Sequence, residues 1–206
     1  AANTITTLNA PATALNISGV QKLASTGPLA TAITTVNASA NTGGVSLQFG
    51  ANDVTVTGGA GNDKFIFGAN LTAADKVDGG AGVNTVSVNN ESAVAGLNAV
   101  KNISVAEFTA TTNLAVNTLT NTAITKLLFN GDVANTVTAA DAAHTYAFTG
   151  TGAGATSTVT LAAGVAAANV SLEGGTLASL KVAAAPDAAR RRRPRADAGR
   201  AAAGDR

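Results

Sequence analysis

"VTVTGGAGNDKFIF", Val54 to Phe67, decides the fold. Two alternating runs of β-formers flank a loop of three glycines, an Asn and an Asp. The chain then nearly repeats itself in "KVDGGAGVNTVSV", Lys76 to Val88. Just upstream, "VSLQF" alternates and "GAND" turns before "VTVT" begins. Alternation marks short strands, and Gly/Asn/Asp clusters mark the turns between them. Strands this short do not stand alone, but they become stable when stacked in ladders.

The same rhythm extends in both directions. Residues 1–45 read as Thr/Asn/Val/Ile strands broken at Gly19, Gly27-Pro28 and Gly43-Gly44. Downstream, "GLNAVKNISVAEF" places apolar residues at Leu97, Val100, Ile103 and Val105. "NLAVNTLTNTAITKLLFNGDV" places them at Leu114, Val116, Leu119, Ile124, Leu127 and Phe129. Apolar residues at this spacing with Asn at corners fit successive coils, each burying its apolar side chains against its neighbours. Thr and Asn fill the intervening positions and form helices poorly. The expected fold is all-β, a parallel β-solenoid of the β-helix or β-roll kind, over residues 1–183. One short helix is expected at Asn70 to Asp75, with Asn70 as its cap. Asp132, in "NGDV", is read as an ordinary turn residue.

Composition fits a thin, layered core. Ala, Val, Leu and Ile supply most of the 46% hydrophobic residues, and aromatics make up only 3%. Charged residues are 12%, well below the usual quarter or so. Thr, Asn, Ser and Gly must therefore cover the surface. There is no Cys, so no disulfide staples the chain, and a bound metal is the obvious alternative. No apolar run is long enough to cross a membrane as a helix. The N-terminal stretch shows no basic region followed by an apolar one, so no signal peptide is read there. The chain starts without Met, which leaves both a whole subunit and a fragment of one open.

Residues 184–206 differ in character: they contain no β-branched residue and no apolar period. All seven arginines fall here, Arg190 to Arg193 among them, while the preceding body has none. The expectation is a disordered Ala/Arg-rich tail. Its Ala/Arg/Gly/Pro/Asp content matches GC-rich codons and points to a shifted reading frame or read-through rather than to a nucleic-acid-binding segment.

The glycine turns carry the candidate chemistry. Calcium takes about six to eight oxygen ligands and accepts backbone carbonyls beside carboxylates. Glycine allows a turn to aim its carbonyls inward. In the first turn Gly58, Gly59 and Gly61 can offer carbonyls and Asp63 a carboxylate, with Phe65 entering the next strand's interior. In the second, Gly79, Gly80 and Gly82 match, Val86 takes the apolar place, and Asn84 stands where an acid is wanted. Asp75 and Asp78 are expected to compensate, and Asp53 in "GANDVTV" belongs to a partial third turn. "GTGAGATSTVT" keeps glycines but no acid and is not expected to bind metal.

The first turn resembles the G-G-x-G-x-D-x-U-x repeat of RTX proteins. A tandem array repeats about every nine residues, whereas Gly58 and Gly79 are 21 apart. Together with "LTAAD" and "DGGAG", the stretch Asn52 to Val88 resembles the repeat region of bacterial surface-layer and related RTX-type surface proteins. The resemblance implies an extracellular, Ca²⁺-binding structural subunit at the bacterial cell surface, exported by type I secretion. It implies self-association into a lattice or oligomer, and contact with surface polysaccharide. Neither nucleic acid nor membrane insertion is implied. Two other readings share the scaffold: an adhesin segment that binds glycans, and the non-catalytic repeat domain of a secreted enzyme.

Catalytic signals are absent from the sequence. There is no G-x-S-x-G elbow, no phosphate-binding G-x-x-x-x-G-K loop, and no second His or Cys to make a zinc site. His144, three residues after Asp141, is read as structural or exposed. The expectation is that the chain is not an enzyme.

Overall fold

The computed structural model describes residues 3–5, 12–131, 133–150, 156–175 and 179–185. In chain order the strands are β1 (Asn3–Ile5), β2 (Ala14–Gly19), β3 (Leu23–Pro28), β4 (Thr35–Asn41), β5 (Val45–Gln48) and β6 (Thr55–Thr57). They continue with β7 (Lys64–Gly68), β8 (Lys76–Asp78), β9 (Thr85–Val88), β10 (Val105–Phe108) and β11 (Asn113–Ala115). The last are β12 (Lys126–Asn130), β13 (Thr136–Ala140), β14 (Thr145–Gly150), β15 (Thr156–Leu161), β16 (Asn169–Gly175) and β17 (Ser179–Ala183). One short helix, α1 (Val94–Leu97), follows a 3₁₀ turn at Glu91–Ala93.

The chain winds as a parallel β-solenoid of about eight turns. One face is a single nine-stranded parallel sheet in the order β1-β3-β5-β7-β9-β10-β12-β14-β16. The opposing face holds two four-stranded sheets, β2-β4-β6-β8 and β11-β13-β15-β17. They are separated at the coil where α1 replaces the strand. Among the described residues, only an isolated bridge from Asp78 to Lys101 continues the first of them. Lys64 pairs with Thr85, Thr85 with Val105, and Val105 with Lys126. One coil is therefore about as long as the interval between the two glycine turns.

This register builds interior ladders of like residues. Leu47, Phe65, Val86, Ala106, Leu127 and Tyr146 are successive partners along the long sheet. All six are buried with no measurable exposure. A second interior column stacks Phe108 on Phe129 and Phe129 on Phe148, with ring centroids 5.3 and 5.0 Å apart. Phe49 and Phe67 stack at 4.7 Å in the earlier coils. Offset stacking at these distances adds to the gain from burial alone. The outward positions carry the hydroxyl-rich surface. In β4, Thr35, Asn37 and Ser39 face out while Val36 and Ala38 are buried.

The helix is not where the sequence places it. Residues 70–75 form a turn, and the helix lies at Val94–Leu97 instead. Asp75 accounts for the first part: its Oδ2 accepts the N–H of Thr72 at 2.9 Å, which closes a turn too tight to propagate. The helix follows a 3₁₀ turn whose Ser92 N–H is capped by Asn90 Oδ1, and its Gly96 packs so closely on Leu71 that a Cβ would overlap that side chain. The Arg-rich tail, the turn role of Asp132 and the glycines of residues 151–155 lie outside the described residues.

Candidate functional site

A flattened coil has two edges, and the expected metal ligands divide between them. The first edge carries the turns that lead into the long sheet: Gly58 to Asp63 before β7, and Gly79 to Asn84 before β9. The second edge carries the turns that lead into the opposing face. Asp53 and Asp75 lie there, before β6 and β8. "GANDVTV" is therefore not a third member of the same stack. Asp53 is exposed, and Asn52 beside it donates from Nδ2 to the Ile33 carbonyl at 3.0 Å.

On the first edge the two glycine turns lie directly over one another. The Gly58 N–H donates to the Asp78 carbonyl at 2.7 Å, and the Ala81 N–H donates to the Gly59 carbonyl at 2.9 Å. The true third member of the stack is "NTGG", Asn41 to Gly44. The Ala60 N–H donates to the Asn41 carbonyl at 3.0 Å. A Cβ at Gly59 would overlap that same carbonyl oxygen. A Cβ at Gly61 would overlap the backbone of Gly44, and one at Gly82 the carbonyl of Gly61. Gly58 and Gly79 are closed in the same way by the carbonyls of Gly79 and Asn102. Gly80 adds a conformational demand, with φ of +72°, which side chains other than glycine's rarely adopt. The glycines are thus required by the close approach of successive coils. Asn41 to Gly44 carries no acid, so its own sequence does not mark it as a member of this stack. Its only signal is a Gly-Gly pair about one coil before Gly61.

The acids and amides of this edge tie coil to coil. Asp63 is 2% exposed. Its Oδ1 accepts the Val45 N–H at 2.7 Å, from the strand one coil earlier. Its Oδ2 accepts the Gly59 N–H at 2.8 Å, from its own turn. Burial pushes its carboxyl above the ordinary value, against the pull of those two amides. Asn84 is fully buried. Its Oδ1 accepts the Asp63 N–H at 2.9 Å, and its Nδ2 donates to the carbonyls of Ala81 and Asn102, each at 3.0 Å. Asp78 is half-buried, and Oδ1 accepts from Asn102 Nδ2 at 2.7 Å and from the Gly80 N–H at 3.0 Å. Those bonds, with Lys101 nearby, hold its carboxyl below the ordinary value.

The second edge repeats the device with different residues. Asp75, 3% exposed, accepts the Val54 N–H at 2.9 Å on Oδ1. Farther along, Asn135 Oδ1 accepts the Thr112 N–H at 3.1 Å, and Ser157 Oγ accepts the Asn135 N–H at 3.2 Å. In each case a short polar side chain reaches back one coil to an N–H that would otherwise be buried and unpaired.

Tested against calcium, this arrangement lacks a gathered ligand set. No three of the His, Asp and Glu side chains come together among the described residues. Both oxygens of Asp63 face amide donors. The Gly59 carbonyl, which a calcium turn would aim inward, accepts the N–H of the next coil.

His144 lies on the first edge, just before β14 as Asn84 lies just before β9. Its Nδ1 is 2.8 Å from Asp141 Oδ1. That oxygen also accepts the N–H groups of Ala143 and His144, each at 3.1 Å, and the Tyr146 hydroxyl at 3.1 Å. The Asp141 carboxylate thus closes a corner, as an acid two or three residues before the donors it caps commonly does. No helix among the described residues is long and apolar enough to cross a membrane.

No family model matches the chain, and no curated protein or solved structure matches it significantly.

Proposed function

We propose that the chain is a structural segment of a bacterial cell-surface layer, extracellular, and made to associate with further copies of itself. The observation that carries this reading is the stack itself. Coil follows coil on one uninterrupted nine-stranded sheet, and the corners spend their Asp, Asn and Ser side chains on joining neighbouring coils. The exposed positions of β4 and β13, such as Thr35, Asn37 and Thr136, supply short uncharged polar groups to the outside. Such a surface tolerates close lateral packing with little charge to desolvate. The resemblance of Asn52 to Val88 to surface-layer repeats supports the same reading.

Light scattering and negative-stain electron microscopy of the purified chain test it. Ordered sheets or defined oligomers that grow with protein concentration are the expected result. A chain that stays monomeric at all concentrations and binds an immobilised glycan would favour the adhesin instead.

A further inference from the structure

We infer that the two glycine turns, Gly58 to Asp63 and Gly79 to Asn84, are metal-independent clamps between coils, and that the choice of Asp at one and Asn at the other is set by the hydrogen-bonding groups each side chain meets. This holds whether the chain is a lattice subunit or an adhesin.

The two side chains occupy equivalent places, 21 residues apart in adjacent coils, yet their surroundings differ in kind. Asp63 meets only donors: the N–H of Val45 and the N–H of Gly59. A carboxylate, which only accepts, satisfies both. Asn84 meets one donor and two acceptors: the Asp63 N–H, and the carbonyls of Ala81 and Asn102. An amide, with one oxygen and two N–H donors, satisfies all three. Exchanging the residues breaks both sets. An amide at 63 turns N–H groups toward an N–H, and a carboxylate at 84 turns an oxygen toward two carbonyls. Seen as a calcium motif, Asn84 is a weakened copy of Asp63. Seen as a clamp, each residue is the right one for its place.

The carbonyls point the same way. Asn41, Gly59, Asp78, Ala81 and Asn102 each give a carbonyl oxygen to an N–H at this edge. An ion seated in the turns would have to compete with those bonds for its oxygens. The glycines, meanwhile, are demanded by backbone contact between coils without any reference to a ligand.

Thermal unfolding of the full chain, followed by circular dichroism in calcium chloride and in EGTA, tests the inference on wild type, Asp63→Asn and Asn84→Asp. Calcium titration by isothermal calorimetry provides a second readout on the wild type, so that a variant which fails to fold does not end the test. The expected result is one wild-type midpoint in both buffers and no calorimetric binding. Both variants are expected to melt lower by about 2 °C or more, equally in calcium and EGTA. A wild-type midpoint raised by calcium, with the increment lost in Asp63→Asn, would overturn the inference. An increment retained in Asp63→Asn would place the ion elsewhere and leave the clamp assignment standing. Self-association is read separately by light scattering, so its failure and that of the clamp are distinguishable.

Discussion

Lys64 Nζ lies 2.5 Å from Glu107 Oε2, although β9 runs between the strands that carry them. The lysine is 39% exposed in its side chain and the glutamate 4%. Burial raises the Glu107 carboxyl, but the Lys64 ammonium beside Oε2, with polar contacts from Ser87 and Asn130, outweighs it and holds the group below its ordinary 4.5. A depressed carboxyl stabilises the fold fully above its unfolded value, and that contribution is lost as pH falls through the folded value. Urea unfolding between pH 7 and pH 3 is therefore expected to show a loss of stability below about pH 4.5. Glu107→Gln should lose less on acidification than the wild type. Glu173→Gln, which removes the more exposed Lys126 pair, should change the acid limb less. Equal acid limbs in wild type and Glu107→Gln would show that Glu107 does not matter there.

The stacked turns make a steric prediction that can be read without any ligand. Gly59→Ala forces a methyl against the Asn41 carbonyl, and both are backbone-anchored. The expected cost is about 3 kcal/mol, the upper range for overpacking. Gly27 is the control, since it has nothing within 4 Å of its would-be Cβ and no positive φ. Gly27→Ala should stay within about 1 kcal/mol of the wild type. Similar losses at both positions, measured by denaturant unfolding, would refute the close-packing account.

Tyr146 holds the Asp141 corner from inside the core. Its hydroxyl accepts the Asp141 N–H at 2.8 Å and donates to the Asp141 carboxylate at 3.1 Å. Burial pushes its ionisation well above the ordinary tyrosine value, so the hydroxyl keeps its proton throughout the neutral range. Tyr146→Phe keeps the ring and leaves a part-buried N–H without its partner. The expected cost is about 1–3 kcal/mol. Amide hydrogen exchange at Asp141 should speed up by more than at Val137, whose strand does not depend on that hydroxyl. Uniform acceleration would mean that the whole coil, not the corner, had loosened.

The solenoid was legible because its signal is local: alternating triplets to quintets of β-formers, each closed by Gly, Asn or Asp. The interval between Gly58 and Gly79 was legible as a departure from a nonapeptide array, and it proves to be one coil. The roles of the acids were less legible, for a physical reason. Asp75 shows its bond to Thr72 in the sequence, three residues away, but its bond to Val54 spans 21 residues. Asp63 likewise reaches Val45, 18 residues back. Side chains that act between coils leave no mark in their own neighbourhood beyond being short and polar, which is also what a metal ligand looks like. Asp53 shows the converse: it sits among glycine, Asn and β-formers, yet on the opposite edge from Asp63. Which edge a turn occupies depends on where each coil closes, and a five-residue motif does not carry that information.

Lys64 pairs with Thr85 in register, and the Asp63 N–H meets Asn84 Oδ1 just before it, so one coil can stand in for the next. Removing residues 64–84 would join Asp63 to Thr85 and hand the ladder from one coil to the next with every interior column intact. Removing one residue fewer would leave the extra residue to a corner, as the coils already show: Thr85 and Val105 are 20 residues apart and Lys126 and Thr145 are 19 apart, with Val86, Ala106, Leu127 and Tyr146 still in one interior column. The molecule is therefore extensible in whole coils, like a stack of plates, while its corners absorb differences of a residue or two. Natural variation in such a chain is expected to come as gained or lost coils, with single insertions confined to corners whose side chains do not reach back.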